Sequence, residues 1–265
     1  MSFTSVFRKQ SLLYFVVFLF IAPRIQADSL HVPQNNFHSE CWTVTMDYLA
    51  WYASEEVASI WADVITIGDN RSSWEARGFN FNWGQGSRLG ISRALNCDQW
   101  KTAFYWTWFQ TSNHKKIPFQ DNARISPEFF AAFLSGNTPQ NMSGKWSLLL
   151  NMFDWELGRE CCVCKNFSVR PFVGIKGGWI HQTIKVKYGD LVIDNIPTDF
   201  SADEHLTNNF SGVGPLVGVN TKWKIGRFCS SSVSLIGDLS LATLFGSWSC
   251  DDFYENTVSQ TSSVT

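Results

Sequence analysis

Long runs in which apolar and polar residues alternate with a period of two constrain this chain most. In Trp42-Thr43-Val44-Thr45-Met46-Asp47-Tyr48 one face is Trp, Val, Met, Tyr and the other Thr, Thr, Asp. Phe79, Phe81, Trp83, Leu89 and Ile91 oppose Asn80, Asn82, Gly84, Gly86, Arg88, Gly90 and Ser92. Trp100, Phe104, Trp106 and Trp108 oppose Lys101, Ala103, Tyr105 and Thr107. The pattern recurs over residues 166–179, 212–223 and 232–245. Alternation over ten or more residues marks strands, not helices, and these strands exceed the usual globular length of about 5–6 residues. Residues 146–157 are less regular, because Leu148-Leu149-Leu150 breaks the alternation. They suit a strand or a helix, and we read a strand, the fourth of seven. One short helix is predicted in a loop: Ser126 caps it, Pro127 takes its first position and residues 128–134 follow.

Long alternating strands have two homes. A soluble sandwich turns its apolar face to a core. A membrane barrel turns it to lipid and the small or polar face to the lumen. Three features favour the barrel. The strands match or exceed the ~9–11 tilted residues that cross a bilayer. Trp42, Tyr52, Phe79, Trp100, Trp108, Trp179, Trp223 and Phe245 lie near strand ends, as interfacial girdles do. The connections alternate strictly between long (residues 54–78, 112–145, 181–208) and short (94–99, 158–165, 226–227), as long external loops and short periplasmic turns do. The first strand then runs outward from the periplasm. Abundant glycine on the small face (Gly84, Gly86, Gly90, Gly174, Gly178, Gly218) suggests an unfilled interior.

Residues 1–27 read as a signal peptide. Arg8 and Lys9 form a basic start, residues 12–22 an apolar core too short to span, and Ala27 a small cleavage position. Removing residues 1–27 leaves 18 basic against 23 acidic residues, a net charge near −5. Residues 28–41 are a periplasmic lead-in, 42–246 the all-β antiparallel barrel domain and 247–265 a polar tail. Seven strands starting in the periplasm end outside, whereas single-chain bacterial barrels have an even count. The barrel is therefore expected to be incomplete at its C-terminus. The 15 % aromatic content argues against a disordered chain, and the balanced charge gives no footprint for nucleic acid.

Several runs resemble a known family. Trp42-Thr43-Val44-Thr45-Met46-Asp47-Tyr48-Leu49-Ala50-Trp51 is similar to the opening strand of the Legionella-type major outer membrane proteins, a pore-forming group also found in chlamydia-like bacteria. Trp106-Thr107-Trp108-Phe109 with Thr111, residues 146–159 with Asp154 and Arg159, and Arg170-Pro171-Phe172 through Trp179-Ile180 extend the likeness. It runs from about Trp42 to Phe245. The resemblance implies an outer-membrane β-barrel for passive diffusion of ions and small solutes, without catalytic residues or cofactors. The expected partners are outer-membrane lipid, small hydrophilic solutes, and disulfide-linked neighbours or further copies of the chain. The second reading is a disulfide-reinforced structural or adhesive surface barrel without significant conductance.

In a pore, lumen charge sets ion preference. The lumen-facing candidates are Asp47, Arg88, Lys101, Arg170, Lys176, Lys222 and Asp238. The 112–145 loop is expected to dock inside the barrel or on its rim, because Phe129, Phe130 and Phe133 need burial. Catalytic signals are weak: none of the five His sits in a His-Glu-x-x-His context, and there is no Gly-x-Ser-x-Gly nucleophile motif. Cys161, Cys162 and Cys164 lack the second Cys-x-x-Cys pair of a zinc site. Together with Cys41, Cys97 and Cys229 they fall at the short-turn side and are disulfide candidates in an oxidising compartment. Cys250 is placed beyond the last strand.

Overall fold

The computed structural model describes residues 14–22, 42–54, 61–67, 72–95, 99–118, 123–127, 138–193, 196–197, 201–228, 231–256 and 262–264. All regular elements among them are β-strands. Seven carry the architecture: β2 (Trp42–Tyr52), β5 (Trp83–Ala94), β6 (Trp100–Ile117), β8 (Thr138–Arg159), β10 (Phe167–Ile193), β12 (Ala202–Phe228) and β13 (Ser231–Asn256). They form one antiparallel sheet in the order β13-β12-β10-β8-β6-β5-β2, each paired with its neighbour along the chain. β1 (Tyr14–Ala22) covers the free edge of β13, from Tyr14↔Leu244 to Ala22↔Ile236. It coincides with the apolar core of the expected leader. The small strands β9 (Cys161–Cys164), β11 (Ile196–Pro197) and β14 (Ser262–Val264) pair at the margins.

The register carries out the alternation read from the sequence. On β2 the residues Trp42, Val44, Met46 and Tyr48 are 57–77 % exposed on the outer face, while Thr43, Thr45 and Asp47 are half-buried on the inner one. On β10 Val173 and Ile175 stand outward and Phe172 and Lys176 are buried. The irregular segment 146–157 is strand, within β8, paired on both sides with β6 and β10. Its Leu148 packs against the buried core and Leu150 lines the inner cavity.

The sheet is strongly curved, because one inner cavity is lined by Trp51 of β2, Asp238 and Ser240 of β13, and residues of all five strands between. The ends are not hydrogen-bonded to each other: β1 and β2 are the two edges, so no barrel closes among the described residues.

Four expectations are corrected. The predicted long connection over residues 181–208 is mostly strand. β10 and β12 are 27 residues each and stay paired as far as Tyr188↔Ala202. The alternation simply continues there, with Ile184, Val186 and Tyr188 buried inward. The polar tail is likewise no tail at its start: β13 runs to Asn256 and includes Cys250. The helix is not present where its cap was placed. Ser126 and Pro127 end β7 (Ala123–Pro127), paired with β3 (Ala62–Ile67), while residues 128–134 lie outside the described residues. Pro127, placed last in its strand, ends the ladder without losing an interior hydrogen bond.

The fourth correction concerns the interior, which is largely filled apart from the cavity between Trp51 and Asp238. β3, β7 and β4 (Ser72–Arg77) make a separate three-stranded sheet from the two long connections. It packs Trp61, Ala62, Val64 and Ile125 into a core with Met142, Trp146, Ile184, Val186, Tyr188 and Tyr254 of the large sheet. Phe79, expected in a girdle, instead stacks on Trp61 at 5.4 Å. The inner-face glycines do not leave open space. Gly90 lies under the Tyr105 ring, Gly144 under Phe79 and Gly218 under Phe172. A bare Cα beneath a neighbouring aromatic is a recognised way to stabilise glycine in a sheet. Gly218→Val should therefore displace the Phe172 ring and destabilise the protein by about 1–3 kcal/mol. The heat-modifiability midpoint in detergent measures this, and an unchanged midpoint would refute the packing.

Candidate functional site

The inner face carries a lattice of opposite charges across five strands. Lys176 on β10 donates to Asp154 on β8 at 2.6 Å. Arg88 on β5 reaches Asp154 at 3.4 Å and Glu156 at 3.7 Å. Arg170 donates to Glu156 at 3.1 Å and to Asn220 on β12 at 2.6 Å. Asn220 in turn donates to Asp238 on β13 at 2.6 Å. Arg88 also lies over the Tyr105 ring, 4.2 Å from its centroid.

Local sequence explains why these groups converge. Asp154 and Glu156 alternate with Trp155 and Leu157, so the outward apolar pair forces the carboxylates inward. The register then sets Lys176 directly opposite Asp154, and Arg170 opposite Asn220. The side chains of Arg88, Asp154, Glu156, Arg170 and Lys176 are only 4–13 % exposed. Charges so enclosed are tolerated only when paired.

All seven predicted lumen residues lie on the inner face. Arg88, Arg170, Lys176 and Asp238 join the lattice. Asp47 stands opposite Arg88 on β2. Lys101, opposite Gly158, and Lys222, opposite Ser168, sit toward the short turns. Asp154, Glu156 and Asn220 were missed as site residues. Their signal was present, since the parity of Trp155 and Leu157 assigns both acids inward, but the Leu148–Leu150 run hid it. Of the disulfide candidates, Cys161, Cys162 and Cys164 are exposed free thiols on β9, as is Cys250 on β13. Cys41, Cys97 and Cys229 lie outside the described residues. No group of metal-ligating side chains forms among the described residues.

Beyond the apolar band, near the small sheet, a different polar group is buried. The Tyr188 hydroxyl donates to Glu204 at 2.6 Å, and Tyr254 stands opposite Glu204 in the ladder. Burial, and secondarily the charge of Asp252, push the Glu204 carboxyl up to about 8, against the opposing effect of the Tyr188 hydrogen bond. Burial and the Glu204 charge drive the Tyr188 hydroxyl upward as well.

Two outcomes follow for the buried groups. Lys176→Met leaves Asp154 without its closest cation, so a loss of about 3 kcal/mol is expected in urea unfolding. Glu204 keeps its proton in the fold up to about 8, while an unfolded glutamate releases it near the ordinary 4.5. Between those values the native state binds more protons, so stability falls as pH rises through that window and levels off above it. Glu204→Gln should flatten this slope in unfolding midpoints measured across the window; an unchanged slope would place the titration elsewhere.

The family model for the Legionella pneumophila major outer membrane protein precursor matches residues 32–264. Neither a curated protein nor a solved structure matches the chain. The family match covers nearly the whole chain, including every strand of the charged inner face. The chain belongs to the Legionella major outer membrane protein family.

Proposed function

We propose that this outer-membrane protein forms a narrow passage for small ions and solutes, with the charged inner face as its lining. The observation that carries the reading is inverted polarity. Val44, Met46, Val173, Val213 and Ile225 are 56–77 % exposed outside, while the ionisable side chains of Asp154, Glu156 and Lys176 are shielded within. A water-soluble sandwich has the opposite arrangement. Only a lipid surround makes such an apolar exterior favourable, and a polar interior beside it suits hydrated ions.

The lattice also predicts the character of the passage. Charges of both signs pair across the face, so a permeating ion competes with protein counter-charges rather than meeting a ring of one sign. Unit conductance should be small. The second reading, a structural barrel without conductance, is favoured by one feature: aromatic rings cover the inner-face glycines.

Planar-bilayer recording of the refolded full chain separates the two. Stable stepwise channels support the passage. Silence from protein that is folded and inserted supports the structural barrel. Within the first reading, Arg88→Gln with Arg170→Gln removes two positive charges from the lining. The reversal potential in a salt gradient should move toward cation preference by a measurable few-fold change in permeability ratio. No movement would remove these residues from the ion path.

A further inference from the structure

We propose that the outer face above the apolar band binds the phosphate groups of a saccharide-headed anionic lipid along one basic row: His114, Lys145, Lys185 and His205. These four residues are directly opposite one another on consecutive strands: His114↔Lys145 between β6 and β8, Lys145↔Lys185 between β8 and β10, and Lys185↔His205 between β10 and β12. Each shares the parity of an outward residue on its own strand, namely Trp108, Trp155, Trp179 and Val213. All are exposed or half-exposed.

Such a row is unusual. Neighbouring strands are about 4.8 Å apart, and like charges directly opposite are destabilising. Among the described residues no carboxylate is paired with any of the four. The nearest outward acid in the adjacent row, Asp203, is held by Lys187 at 3.5 Å. On β13 the row ends at Phe253, with Asp251 and Glu255 on the same face one step to either side. Burial first, and then Lys185 and His181, hold His205 below its ordinary value, so the fixed positive charge of the row rests on Lys145 and Lys185. An anionic ligand relieves the repulsion between Lys145 and Lys185 that the described residues leave uncompensated.

The height of the row selects the lipid. Lys185 is six residues beyond Trp179 along β10, about 20 Å along the strand and about 15 Å along the normal after tilting. A simple phospholipid headgroup layer is only about 5–8 Å deep. The row therefore stands at the level of a phosphorylated sugar core, with lysine stems reaching down along the wall. This assignment rests on the outer-membrane reading with the long connections outside.

The test reconstitutes the full chain in phosphatidylcholine vesicles with rough-type lipopolysaccharide, its enzymatically dephosphorylated form, or phosphatidylglycerol. Co-purified lipid is then measured after detergent extraction. Selective retention of the phosphorylated lipopolysaccharide is expected, unaffected by competing inorganic phosphate. Neutralising a lysine at an anionic surface weakens association about fivefold, so K145Q with K185Q should lose about tenfold or more. K145R with K185R should restore retention, and K165Q with K224Q, at the opposite end of the sheet, should leave it unchanged. Equal retention of the dephosphorylated form or of phosphatidylglycerol, displacement by inorganic phosphate, or an unaffected K145Q/K185Q variant overturns the proposal. If the wild-type chain fails to insert into any vesicle, the membrane reading falls with it; insertion without selectivity sinks this inference alone.

Discussion

The structure depends on one continuous antiparallel hydrogen-bond ladder running through seven long strands. In lipid an unpaired backbone amide or carbonyl costs several kcal/mol, so a strand that crosses must satisfy its groups on a neighbour. Once the ladder exists, side-chain direction is no longer free. Each residue points to the face its parity dictates, and a one-residue slip would move Lys176 and Arg170 into hydrocarbon and Val173 and Ile175 inward. The pairing of Lys176 with Asp154 reinforces the same register from inside, because the lattice geometry is lost in any other.

The interior is organised in layers along the strands. Toward the short turns lie the ion pairs, with Phe172, Leu216 and Ala242 beside them. Next come Met152, Phe210 and Leu244, and beyond these the large core capped by the small three-stranded sheet. This order has a physical rationale. At the level of the lipid, the outer surface supplies apolar contact and the inner face is left for polar groups. Beyond the lipid both sides of the strands face water, so the extended parts of β10 and β12 would be unsupported. The small sheet gives them a hydrophobic partner, burying Trp61 and Trp146 almost completely.

The outward face mirrors this division. It is apolar up to Trp108 and Trp179, then carries Gln110, His181 and Asn209, then the basic row. A gradient from aromatic to neutral polar to cationic follows the dielectric profile of a membrane surface. The same gradient keeps the proposed passage, on the inner face, apart from the proposed lipid contact on the outer one.

Strand identity and side-chain facing were legible in the sequence wherever apolar and polar residues alternate. Trp42 to Tyr48 on β2 and residues 166–179 around β10 needed nothing beyond period-two geometry. Residues 181–208 were misread as loop because their outward face is polar, and a strand that leaves the membrane loses the hydrophobic contrast by which it is recognised. Ser126-Pro127 carries a local helix-start signal, but pairing with β3 overrides it, since tertiary partners outweigh propensities of a few tenths of a kcal/mol. The glycines suggested empty space because a sequence shows the missing side chain and not the ring that covers it from the next strand. By itself the sequence determined which of the two sheet faces a strand residue takes, because that depends only on position along the strand. The tertiary structure alone decided which inward charges meet, where the long connections dock and which basic residues align, because each of these depends on register between segments far apart in the chain.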